Sequence, residues 1–305
     1  MTELHPGLRI VRTLAMLSII AHHISSRPVF GVAFGVTSLQ IVMCALQSRQ
    51  DRARPLMEVG RKRFTRLILP WLLWCGIYGC FEVSLALRWN QPVLHRFDSA
   101  CWFAGTAFHL WFLPFAFVAS ILANRALKAS EEHSRNLSIL FFSALGAVLV
   151  LAAPIIHREL HPMRPFGYWI DGAGTIAFGV AIGRVLSIRN HDHRNPWFLV
   201  ILAFGTLPML IGPDLVQVTG LYDRYGVAIS LACAGFLLRC RDSRILAIFA
   251  AYNLGVYLVH MLVLRGMDHI PALGELHLVP RLAVCYLLCL LVVGVIRRLR
   301  IPYLT

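Results

Sequence analysis

Ten apolar runs decide what this chain can fold into. Set against the roughly 17 to 25 residues that a helix needs to cross a bilayer, they fall near residues 8–26, 29–47, 67–88, 105–124, 137–156, 168–187, 197–212, 224–239, 245–264 and 279–296. The seventh and eighth are the shortest. In hydrocarbon every backbone N–H and C=O must find its partner inside the protein, so runs of this length read as helices. With 58% apolar and 14% charged residues and a mean hydropathy of +0.67, the 305-residue chain has too little polar surface for a water-soluble domain of its size. The expected fold is all-α, a polytopic integral membrane protein with about ten transmembrane helices. One transmembrane domain is expected over residues 1–305, with neither an appended soluble domain nor a cleavable leader expected, because the first run lacks a small-residue cleavage site and turns back into the second.

Charge placement tests the count independently. If the N-terminus is cytoplasmic and the spans alternate, 21 of the 29 Lys and Arg fall at the inner face and eight at the outer face. Every inner connection is then richer in basic residues than its outer neighbours, as the positive-inside rule requires. One span more or fewer would scramble the pattern. The reading is a multi-pass protein of the plasma (inner) membrane with both termini cytoplasmic. The net charge of +14 is absorbed by this topology and by contact with membrane lipid, so no nucleic-acid partner is expected.

Within the first run, Arg12 and His23 stand eleven residues apart. Eleven helical steps of about 100° return to within about 20° of the starting azimuth, so both side chains share one face, roughly 16 Å apart along the axis. Ionisable groups at membrane depth are costly unless paired or turned toward water, so such a stripe points to an internal polar path. Under the same topology His22, His23, Glu82, His109, Asp171, Tyr257 and His260 collect toward the outer face. Histidines and carboxylates at one depth are the material of general acid–base chemistry. Arg12, Arg61, Lys62, Arg63 and Arg66 gather at the inner face, a density suited to phosphates as well as to lipid headgroups.

Plainer readings stand beside these. His22 fits an interfacial side chain, Glu82 and Asp171 fit hydrogen bonds between helices, and the basic run fits cytoplasmic anchoring. Trp71, Trp74 and Trp102, and even Trp111 with Phe112, fit an aromatic belt. The eight cysteines mostly lie in apolar runs, and none forms a Cys-x-x-Cys pair or joins histidines at zinc-ligand spacing, so no metal site is expected and small buried hydrophobes are.

Four blocks of sequence resemble a known family in its own order. Gly7-Leu-Arg-Ile-Val-Arg12 through His22-His23 resembles the opening helix of the membrane-bound acyltransferase 3 family, whose mark is Arg or Lys, ten residues, then His. Arg61-Lys-Arg-Phe-Thr-Arg-Leu-Ile-Leu-Pro-Trp71 is similar to its basic run entering span 3, and His109-Leu-Trp-Phe-Leu-Pro114 to the Leu-Trp-Phe-Leu block at the head of span 4. Tyr252 to Val263, with Tyr257 and His260, resembles the late Tyr-Leu-x-His block.

The resemblance implies transfer of an acyl group, usually acetyl, from a cytoplasmic acyl-CoA co-substrate to a hydroxyl of a glycan or glycolipid at the far face. His23 carries over as the catalytic histidine and Arg12 as its partner, Arg61, Arg63 and Arg66 as contacts of the donor's phosphates, and Trp111 as a wall of the channel. Glu82 or Asp171 is expected to orient and charge the imidazole. Proteins of polysaccharide biosynthesis are the expected partners. One departure stands out. Where the family's second span carries aromatics and a Ser-Gly pair, this chain has Gln40, Met43 and Cys44. The alternative is a proton-coupled transporter or a lipid or glycolipid flippase. Such a protein ought to show paired repeats and broken helices, and neither is visible in the sequence.

Overall fold

The computed structural model describes residues 6–25, 34–47, 49–97, 101–163, 165–187, 195–215, 221–237 and 243–300. Each apolar run maps to a helix: α1 (Pro6–Ile24), α2 (Phe34–Ala45), α3 (Leu56–Arg88), α4 (Phe112–Ser130), α5 (Arg135–Leu160), α6 (Phe166–Leu186), α7 (Trp197–Leu215), α8 (Leu221–Leu237), α9 (Arg244–Asp268) and α10 (Leu278–Arg298). Among the described residues, α1, α3, α4, α5, α6, α9 and α10 are long and apolar enough to cross a membrane, while α2, α7 and α8 are apolar over shorter stretches. No strand occurs among the described residues. The protein is an all-α polytopic membrane protein.

Short α2 is enclosed by α1, α4, α6 and α8, and α1 in turn packs on α2, α8, α9 and α10. Lipid is as apolar as a leucine side chain, so helices in a membrane gain little from burying leucines against one another and associate where small residues let backbones approach. Glycine supplies those approaches here. A Cβ at Gly35 of α2 would run into the Ala15 carbonyl of α1, one at Gly179 of α6 into Cys44 of α2, and one at Gly7 of α1 into the Gly235 carbonyl of α8. At the periphery, α10 buries only a narrow stripe with Cys285, Cys289 and Val293, and turns Leu287, Leu291 and Val295 outward.

Helix α3 departs from the sequence reading. Residues 48–66 were expected as a connection, yet a short helix (Arg49–Ala53) is followed by one rod that begins at Leu56 and carries the basic run as helix. Arg and Lys are good helix formers, so the run continues the rod into the polar phase. Within it, Phe64–Ile68 forms a π turn, closed by the Leu69 N–H donating to the Phe64 carbonyl. The cause lies just downstream. Pro70 has no N–H to give and its ring crowds the preceding turn, and widening that turn by one residue relieves both faults. Beyond it, Pro70, Trp74, Tyr78, Glu82 and Ala86 repeat every four residues as the buried stripe of α3. Trp74, expected in the interfacial belt, is instead only 3% exposed and packs on Tyr78 with ring centroids 5.8 Å apart. The Trp102 side chain and Cys240 lie outside the described residues. Of the other cysteines, Cys44, Cys233, Cys285 and Cys289 are buried as expected and Cys80 is exposed.

Candidate active site

The stripe of α1 that carries Arg12 and His23 also carries Leu8, Ala15, Met16 and Ile19, and all four are buried, so this face turns into the bundle and away from lipid. Arg12 and His23 are themselves half-buried. At the His23 end two more imidazoles converge. His109 comes from the 3-10 turn Phe108–Trp111 that leads into α4, and His260 from α9. Ring centroids lie 5.2 Å apart for His23 and His260, 5.0 Å for His109 and His260, and 6.5 Å for His23 and His109. His260 is 0% exposed and His109 is 4% exposed.

Two tyrosines hold this cluster. The Tyr78 hydroxyl donates to the Leu258 carbonyl at 2.9 Å, tying α3 to α9, and its ring meets His109 edge-on at 4.9 Å. The Tyr257 hydroxyl donates to the His109 carbonyl. In return the Tyr257 carbonyl lies 2.6 Å from His260 Nδ1, which therefore carries the proton and leaves Nε2 as the accepting nitrogen. Nε2 of His109 and Nε2 of His260 are buried and have no hydrogen-bond partner among the described residues. Buried polar atoms are nearly always satisfied, so these two imidazole nitrogens stand out on two rings whose centroids are 5.0 Å apart.

A cavity of about 140 Å³ opens beside the cluster, lined by His22, His23, Gln40, His109, Trp111 and Asp171 among others. Trp111 stacks on Tyr168 at 5.3 Å, giving the cavity an aromatic wall. Asp171 accepts from His157 Nε2 at 2.9 Å, and its own carbonyl accepts from Tyr225. Gln40 is 1% exposed, and its Nε2 also has no partner among the described residues. The departure noted at the second span thus places an amide in the cavity wall and a small thiol, Cys44, where α2 meets Gly179 of α6. Among the described residues no set of His, Cys, Asp and Glu is placed to hold a metal ion.

The family model described as an acyltransferase domain, acyltransferase 3, matches residues 5–298. The chain belongs to this acyltransferase family. Neither a curated protein nor a solved structure matches it significantly.

In this acyltransferase the residues expected to act together separate into two groups. His23, Trp111 and Tyr257 meet at the cavity with His109, and His260 adjoins them. Glu82 is not among the cavity residues: its carboxylate accepts from Arg265 at 2.6 Å, with side-chain exposures of 11% and 36%. Asp171 lines the cavity but is engaged by His157. At the far end Arg61 and Arg66 are exposed, whereas Arg63 donates to Gln47 at 2.8 Å and to Asp51 at 3.2 Å, and Lys62 pairs with Asp51 at 2.6 Å. Sequence reasoning passed over Tyr78, Tyr168, Arg224 and Tyr225. Tyr78 was open to detection, since it sits four residues before Glu82 on a regular buried stripe. Arg224, Tyr168 and Tyr225 line the cavity only because of how α6 and α8 meet it, and no spacing announces that.

Proposed function

We propose that this acyltransferase moves an acyl group, acetyl first among them, from a cytoplasmic acyl-CoA to a hydroxyl of a glycan or glycolipid at the outer face of the inner membrane. One observation carries the reading: three imidazoles converge beside a cavity at the end of the bundle opposite the exposed arginines. His23 is the reacting imidazole. Its ring nitrogen takes the proton of the acceptor hydroxyl as the oxygen attacks the thioester carbonyl. The carbon–sulfur bond then breaks, and the coenzyme A thiolate leaves and recovers the proton. His109 and His260 act as proton partners of His23, with Tyr257 anchoring the His109 backbone through its hydroxyl and orienting the His260 ring through its carbonyl. Glu82 acts one step removed, by holding Arg265.

Arg61 and Arg66 are the donor-phosphate contacts of this reading, Arg63 acts from its tie to Asp51, and Arg12 sits on the stripe that leads from them to His23. The aromatic wall of Trp111 and Tyr168 suits the face of a sugar ring, and proteins that build the polysaccharide are the partners that would supply it. The test compares surface glycans, by mass analysis, from a deletion strain complemented with the wild-type chain or with His23→Ala. Loss of the acyl groups at normal membrane levels of the variant is the expected result; full acylation by His23→Ala would remove this histidine from the chemistry.

A further inference from the structure

A second cavity, of about 400 Å³, lies at the basic end of the bundle and is lined by Arg52, Ala53, Lys128, Glu131, Arg184 and Ser187. Its charges do not cancel. Arg52 Nε donates to Glu131 at 2.8 Å and another Arg52 nitrogen donates to the Gln47 carbonyl, so this arginine is fixed and neutralises the one carboxylate in the wall. Lys128 and Arg184 remain, and the pull of Glu131 on Arg184 is opposed by its positive neighbours Arg135 and Arg52. Arg184 is only 7% exposed, yet its Nε is buried without a hydrogen-bond partner among the described residues. A covered guanidinium edge costs stability unless an acceptor meets it, and its planar fork matches a phosphate through two parallel N–H donors while an ammonium adds a point charge.

We propose that this cavity is a phosphate-binding site, with Arg184 as the fork, Lys128 as the second cation and Arg52 as the braced wall. It is built from residues other than Arg61, Arg63 and Arg66. The phosphate has two chemically equivalent sources, the headgroup of an anionic phospholipid or a soluble phosphorylated co-substrate; only the second rests on the acyl-CoA reading given above.

The experiment uses the full chain in phosphatidylcholine nanodiscs, with and without phosphatidylglycerol, and adenosine 3′,5′-bisphosphate as the soluble probe. Bound lipid is read by native mass spectrometry and the nucleotide by equilibrium binding. Arg184→Gln is expected to weaken phosphate binding about tenfold or more, Arg184→Lys less, and Lys128→Gln several-fold. Lys128 is exposed, so its replacement keeps the test alive if Arg184→Gln does not fold. A soluble source gives nucleotide binding that phosphatidylglycerol does not displace; a lipid source gives phosphatidylglycerol retained by the wild type and lost from the variants. His23→Ala keeps wild-type binding, so failure of the acyl-transfer chemistry leaves this result readable. Equal affinity of wild type, Arg184→Gln and Lys128→Gln for both probes, or binding of neither probe to the wild type, overturns the proposal.

Discussion

At the scale of single residues, the cavity's imidazoles are oriented by backbone carbonyls and tyrosines, while the nearby carboxylates are spent elsewhere. His260 is set by the Tyr257 carbonyl, Asp171 answers to His157, and Glu82 answers to Arg265. The last pair has a measurable coupling. A cycle of Glu82→Gln, Arg265→Gln and the double variant, followed by thermal unfolding, is expected to give about 1–2 kcal/mol of interaction, below the range for fully buried pairs because Arg265 is partly open to its surroundings. Turnover in Glu82→Gln should fall far less than in His23→Ala. Coupling near zero together with abolished turnover would instead put Glu82 in the chemistry itself. The sequence held both Glu82 and Arg265, but 183 positions separate them and nothing in hydropathy says which helices will face each other.

Among the helices, glycine placement separates load from slack. Gly179→Val forces branched carbon into Cys44 and toward the Ile41 carbonyl, and is expected to cost about 1–3 kcal/mol, seen as a lower unfolding temperature in detergent. Gly76→Ala, on the open face of α3 with nothing within 4 Å, should leave stability unchanged or raise it by about 0.5–1 kcal/mol. Equal effects at the two positions would mean that α2 and α6 do not meet as described. The helices themselves were largely readable, since a long apolar run in lipid has one way to satisfy its backbone. Their ends were not. The basic run stayed helical where a connection was expected, because hydropathy marks where apolar residues stop and a helix can continue past that point on propensity alone. Trp74 was misplaced for a related reason: its depth was legible and its azimuth was not.

For the molecule as a whole, the two ends carry different chemistry, and their sidedness can be measured. In a background lacking the eight native cysteines, Met163→Cys, beside the histidine end, should react with an impermeant maleimide on intact cells. Met57→Cys, at the basic end and 86% exposed, should react only after permeabilisation. The reverse pattern would invert the orientation and with it the direction of transfer. What joins the ends is a single rod. Helix α3 presents Lys62 and Arg63 to Asp51 at one end and Tyr78 to His109 near the other, with the π turn Phe64–Ile68 between them. An extra residue in one turn rotates everything before it by about 100° relative to everything after. That wide turn is therefore a phase adjuster: it lets one continuous shaft aim its cations and its aromatic stripe along two different bearings.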